Sequence, residues 1–170
     1  GSDCTEIGKT VTPEMIERVI DLVHPDYLQC DCKGHAGFSS YPTKAGNPAP
    51  GFVRDQLRIW RKVTARRGVA LYMHYSGVWD SEAVRKHPDW ARVNEENKPD
   101  DRLTSVYGPY DDLLLIPQLK ELSDEYGVDG VWVDGKCWAT ERDYGEKALR
   151  LFREKTGITS VPKKAGDPNW

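Results

Sequence analysis

"YGVDGVWVDGKCW", residues 126–138, runs through an apolar stretch, Val131-Trp132-Val133, and ends it in an acid followed by a glycine. The apolar residues read as a strand buried on both faces. Asp134 then stands where that strand opens into a loop, held rigidly by the one and left reachable by the other. A carboxylate so placed serves as nucleophile, base or metal ligand. It serves equally as a helix cap or as the partner of a nearby Lys33 or Lys136. Gly135 lets the backbone turn sharply or a substrate approach closely.

Upstream, the same kind of segment recurs between helical patterns. "TPEMIERVIDLV", 12–23, predicts a helix with Thr12 as N-cap, Pro13 in the first turn and a stripe of Met15, Ile16, Val19, Ile20 and Val23. "DYLQCDC" is a strand, followed by a Gly- and Pro-rich loop to about residue 50. Residues 52–67 read as a second helix, with Phe52, Val53, Leu57, Ile59, Trp60 and Val63 on or beside its buried side and Gly68 as its stop. "VALYMHYS" is the next strand, and "DSEAVRKHPDW" a short helix in a long loop. The charged stretch 92–102 reads as solvated loop. A helix over 110–126, kinked at Pro117 and closed by Gly127, leads to "GVWVD", and another is expected over about 141–155.

Helices alternating with apolar strands predict repeated βα units around a parallel sheet. A complete (β/α)8 barrel takes about 250 residues. The 170 residues here therefore predict a partial (β/α)8 TIM barrel, its N-terminal half, with about three to four βα units over residues 3–170; Gly1-Ser2 reads as a cloning remnant. A small open α/β sheet is the rival architecture. The long loops fall after the first two strands, on the side where barrels carry their chemistry. A half-barrel leaves sheet edges uncovered, which predicts pairing with a second copy or an excerpt from a longer chain.

A formal net charge of −3 with 30% charged residues gives no basic excess for nucleic acid or anionic membrane, and no apolar run approaches the roughly 18 residues that span a bilayer. The start of the chain shows no basic-then-apolar leader. Cys4, Cys30, Cys32 and Cys137 are too few for a disulfide-built fold and form no CxxC pair. Cys30 and Cys32, two apart, share one face of their strand and read as buried thiols. No Gly-rich phosphate loop, GxSxG elbow or His-x-His pair is present, so no cofactor or metal is expected. A metal held by His35, His74 and Asp134 from three strands remains an alternative reading.

In a parallel sheet three strand ends converge. The first brings Asp31, Lys33 and His35, the second His74, Tyr75, Trp79 and Asp80, the third Asp134, Lys136 and Trp138. Trp79 and Trp138, just beyond strand ends, suit stacking on the apolar side of a sugar ring as well as loop packing. Trp60 and Trp132 read as packing residues, and His24 and His87, each before a proline, as structural or solvated.

Three of these segments resemble a family. "CKGHAGFSSYPTKAG" (32–46) is similar to the Lys-His-His-Asp-Gly-Phe segment of alpha-L-fucosidase-type retaining glycoside hydrolases. "RRGVALYMHYSGVWD" (66–80) resembles their next strand, and "YGVDGVWVDG" (126–135) their Trp-Phe-Asp-Gly strand. The resemblance is closer still to uncharacterised hypothetical glycosyl hydrolases that often carry a beta-galactosidase-like trimerisation domain; these have a similar loop and a similar "HPDW". It covers roughly residues 26–135. It implies a retaining glycosidase of carbohydrate metabolism, acting on an oligosaccharide or other glycoside, with Asp134 as nucleophile. It also implies that His35 and His74 hold sugar hydroxyls; with Lys33, Tyr75, Trp79 and Trp138 from the strand ends they make up the expected substrate-binding set. Gly34 and Ala36 stand where the family has His and Asp, a departure that bears on fucose selectivity. The proton donor expected about 5–5.5 Å from the nucleophile has no clear candidate; Glu141 and Asp143 follow Asp134 closely. A sugar-binding relative without catalysis is the other reading.

Overall fold

The computed structural model describes residues 5–134 and 142–161. Among them three parallel strands, β1 (Tyr27–Lys33), β2 (Ala70–Ser76) and β5 (Gly130–Asp134), form one sheet in the order β1-β2-β5. Helices α1 (Pro13–Val23), α2 (Gln56–Arg67), α3 (Ser81–Lys86), α4 (Ile116–Asp124) and α5 (Glu146–Thr156) alternate with them. Among the described residues no helix is long and apolar enough to cross a membrane.

Local chemistry sets the helix ends. Thr12 Oγ1 accepts the Met15 N–H at 3.2 Å, and α1 closes on His24 in the left-handed conformation. The second helix begins later than its apolar pattern predicts. Asp55 caps it by accepting the Arg58 N–H at 3.0 Å, so Phe52 and Val53 precede the helix and Val53 is exposed. Gly68 stops it at φ +67°, where a side chain would be strained. Thr12→Ala and Asp55→Ala are each expected to lower stability by about 1 kcal/mol, read from urea unfolding midpoints. Before α4 the chain makes a π-helical turn, Asp111–Leu115. Pro117, which has no N–H and crowds the preceding turn, accounts for that widening.

The stretch after β2 is more ordered than its charge suggests. A 3-10 turn, Pro88–Trp90, leads into an antiparallel hairpin of β3 (Ala91–Val93) and β4 (Pro99–Thr104), with Asn97 at φ +61° in the turn. Arg92 pairs across it with Asp100 at 2.8 Å. Residues 92–102 are thus a hairpin, and not only a solvated loop.

The sheet is covered on one face. Leu71, Met73 and Tyr75 of β2, Cys32 of β1 and the partly buried Val131 and Val133 pack with Leu57, Leu114, Leu115, Leu122 and Tyr126 in the main core. A second cluster, Ile16, Ile20, Val63 and Val69, joins α1 to α2. On the opposite face Tyr27, Tyr72 and Trp132 remain exposed, so the strands alternate and are not buried on both sides. Trp132 is 57% exposed; the expectation of a packing residue fails because its place in the two-residue period puts it on the uncovered face.

Candidate functional site at the strand ends

The uncovered face carries polar groups at the C-terminal ends of all three strands. Asp31 on β1 lies opposite His74 on β2, and Ser76 lies opposite Asp134 on β5. Period-two alternation puts His74 and Ser76 on one side of β2, with Asp134 on the matching side of its own strand. The His74 Nδ1 is 2.6 Å from Asp31 Oδ1, and its Nε2 is 3.7 Å from Asp134 Oδ2. The imidazole is therefore flanked by two carboxylates from the neighbouring strands. The Trp132 ring meets it edge-on, centroids 5.4 Å apart.

His35 reaches the same end from the loop after β1. Its Nδ1 lies 2.6 Å from Ser76 Oγ, which itself donates to the Trp79 carbonyl at 2.8 Å. The serine proton being used there, the His35 Nδ1 carries the hydrogen of the first contact. The His35 ring stacks on Trp79 with centroids 4.5 Å apart and planes 10° apart. His35, through Ser76, and the His74–Asp134 pair thus lie at one end of the sheet.

Two expected site residues turn away. Tyr75 is fully buried on the helix-covered face, its hydroxyl donating to Gln118 Oε1 at 2.7 Å. Burial holds its phenol well above the ordinary range. Lys33 is also buried, its ammonium 2.8 Å from Asp80 Oδ2 and 4.7 Å from the centre of the Tyr75 ring. Both were expected to meet substrate; alternation removes Tyr75, and a bulge removes Lys33. The register steps from Asp31↔His74 directly to Lys33↔Tyr75, so Cys32 is extra and Lys33 faces the interior.

That inward lysine organises the loop. Asp80 also accepts the Tyr110 hydroxyl at 3.0 Å and the Ala83 N–H at 2.8 Å, as the cap of α3. The Ser81 and Glu82 N–H groups donate to the His35 and Ala36 carbonyls. A Cβ on Gly37 would come within 2.0 Å of Asp80 Oδ1, which is why the loop needs glycine there. Farther along, Gln118 donates to Ser39 Oγ at 2.8 Å, and the buried Glu121 accepts from Tyr41 at 3.0 Å, from the Lys44 N–H at 2.7 Å and from Thr43. The Gly-rich loop of 34–47 is fastened to α3 at one end and to α4 at the other.

Among the remaining candidates, Asp143 accepts from the Val93 and Gly145 N–H groups at 3.1 and 2.8 Å and from the Ser105 hydroxyl, which ties it to the hairpin. Trp138, Lys136, Gly135 and Glu141 lie outside the described residues. Among the described residues no group of three His, Cys, Asp or Glu side chains is arranged to hold a metal. Burial raises the thiols of Cys30 to about 11 and Cys32 to about 12, and Cys32 Sγ donates to the His74 carbonyl at 3.1 Å. Both are expected to stay unmodified by iodoacetamide at neutral pH until the chain unfolds, as intact mass would show. Asp31 was expected at its strand end without a substrate-binding role, and Ser76 was not among the expected residues. The signal for both was their two-residue spacing from Lys33 and His74 at strand ends, and the bulge obscured it for Asp31.

No protein-family model and no curated protein matches the chain. Solved structures do. Alpha-L-fucosidase isoenzyme 2 from Paenibacillus thiaminolyticus superposes with a TM-score of 0.74 at 19% identity, over 93% of this chain and 25% of that one. An alpha-L-fucosidase from Lactobacillus casei gives 0.52 at 20% identity, over 85% and 48%. A hypothetical protein from Ruminiclostridium thermocellum gives 0.57 at 14% identity, over 76% and 73%. The chain spans only a quarter of the length of the first of these structures. At such identities the likeness concerns the fold, and the fold of this chain is alpha-L-fucosidase-like.

Proposed function

We propose that residues 3–170 are the N-terminal part of a TIM-barrel catalytic domain of a retaining, alpha-L-fucosidase-like glycoside hydrolase. The observation that carries the reading is the convergence of Asp134, His74 and His35 on one end of a parallel sheet, on the face left uncovered by helices. In this reading that face is the barrel interior, completed by further strands.

Asp134 attacks the anomeric carbon and forms a glycosyl ester, which water then opens; an ionised carboxylate beneath that carbon also stabilises the oxocarbenium-like transition state. His35 and His74 hold sugar hydroxyls through their ring nitrogens. The indole of Trp79, already stacked on His35, backs the sugar with an apolar wall. Trp138 belongs to the same proposed wall. Lys33 and Tyr75 support the site from inside the core. The proton donor comes from a segment other than those described, and the substrate is an oligosaccharide or other glycoside.

The test is a trapped intermediate. A chain long enough to supply the proton donor, treated with an activated 2-deoxy-2-fluoro glycoside, should gain the mass of one glycosyl unit. Peptide mapping should put it on the fragment carrying Asp134. An adduct on another carboxylate would remove Asp134 as nucleophile.

A further inference from the structure

The proposed chemistry leaves one carboxylate without a task. Asp31 is 77% exposed in its side chain, yet it spends one oxygen on His74 Nδ1 at 2.6 Å. An ionised carboxylate only accepts hydrogen bonds, so Nδ1 must carry the proton of this contact. On a singly protonated imidazole this leaves Nε2 bare. That nitrogen is the one 3.7 Å from Asp134 Oδ2, too far for a hydrogen bond between them and near enough for both to touch one bound group.

We infer that Asp31 is a positioning residue: by taking the Nδ1 proton it fixes the tautomer and the ring orientation of His74, and presents Nε2 as a hydrogen-bond acceptor beside Asp134. Among the described residues the charged groups facing the ring are Asp31 on β1 and Asp134 on β5. The Trp132 ring meets it edge-on. Among the described residues Asp31 is the acceptor that Nδ1–H meets, and a carboxylate acceptor makes the stronger class of hydrogen bond. The site would then take a ligand offering a hydroxyl donor to Nε2 next to the carbon that Asp134 reaches. This last step rests on the glycosidase reading; the tautomer does not.

The experiment is an imidazole 15N–1H correlation spectrum of the 170-residue chain, at a pH alkaline enough that the ring carries a single proton. His74 should show the Nδ1–H form in roughly tenfold or greater excess. Asp31→Ala, an exposed change that leaves the core intact, should shift the proton largely to Nε2. Asp31→Asn, whose amide oxygen still accepts, should keep much of the original pattern. The same tautomer distribution in the chain and in Asp31→Ala would overturn the inference, as would an Nε2–H form in the unaltered chain. Neither outcome depends on turnover, so a chain that hydrolyses no glycoside would defeat the functional proposal while the spectrum still judges this one.

Discussion

Asp134→Asn is expected to lower kcat on an activated aryl glycoside by at least about 10^4-fold, because it removes the group that forms the covalent bond. The measurement belongs in a chain that contains the proton donor, with unfolding followed alongside. The side chain is about one-third exposed at a strand end, so an isosteric amide should leave the urea midpoint nearly unchanged. Asp134→Gly offers a second readout. Azide can enter the space vacated by the carboxylate, and it should give a glycosyl azide of inverted anomeric configuration. Unchanged turnover in Asp134→Asn would end the nucleophile assignment. Lost turnover together with lost folding would assign the residue to structure instead.

The largest expected effect on stability lies away from the open face. Lys33 and Asp80 form an ion pair whose side chains are both fully buried. Breaking such a pair from one side leaves a buried charge uncompensated, at about 3–5 kcal/mol. Lys33→Met is expected to cost that much, a large share of the roughly 5–15 kcal/mol that holds a domain folded. Asp80→Ala should cost more, because Asp80 also accepts from Tyr110 and caps α3. Urea titrations of the two variants decide this; a loss below about 1 kcal/mol for Lys33→Met would show that the pair carries little weight. The same pair joins β1 to the segment that hydrogen-bonds the His35 carbonyl, so any residual activity in Lys33→Met should show a raised KM.

Much of the architecture was legible because it rests on local rules. Thr12 before Pro13, Gly68 after Arg67 and the apolar spacing of Ile16 and Ile20 mark helix ends and faces by chemistry that acts within a few residues. The same holds for the order of strands and helices, which implied the parallel pairing found between β1, β2 and β5. Asp134 stood out for a similar reason: an acid closing an apolar strand is a local anomaly. The misread residues turned on a competing local cap or on pairing between distant strands. Phe52 and Val53 fit the helical period, but the Asp55 cap started the helix after them. Lys33 and His35 were expected together at one strand end, but the bulge at Cys32 turned Lys33 inward.

What the sequence by itself determined is the set of βα segments, their boundaries to within a few residues, and the gathering of polar side chains at strand ends. Hydrophobic period and capping fix these through neighbours close in the chain. Only the tertiary structure decided which face of the sheet the helices cover, and hence that Trp132 is exposed, that Tyr75 and Lys33 serve the core, and that His74 sits between Asp31 and Asp134. Pairing register and layer packing join residues some 40 to 60 positions apart, and no spacing along a single strand encodes which partner each will meet.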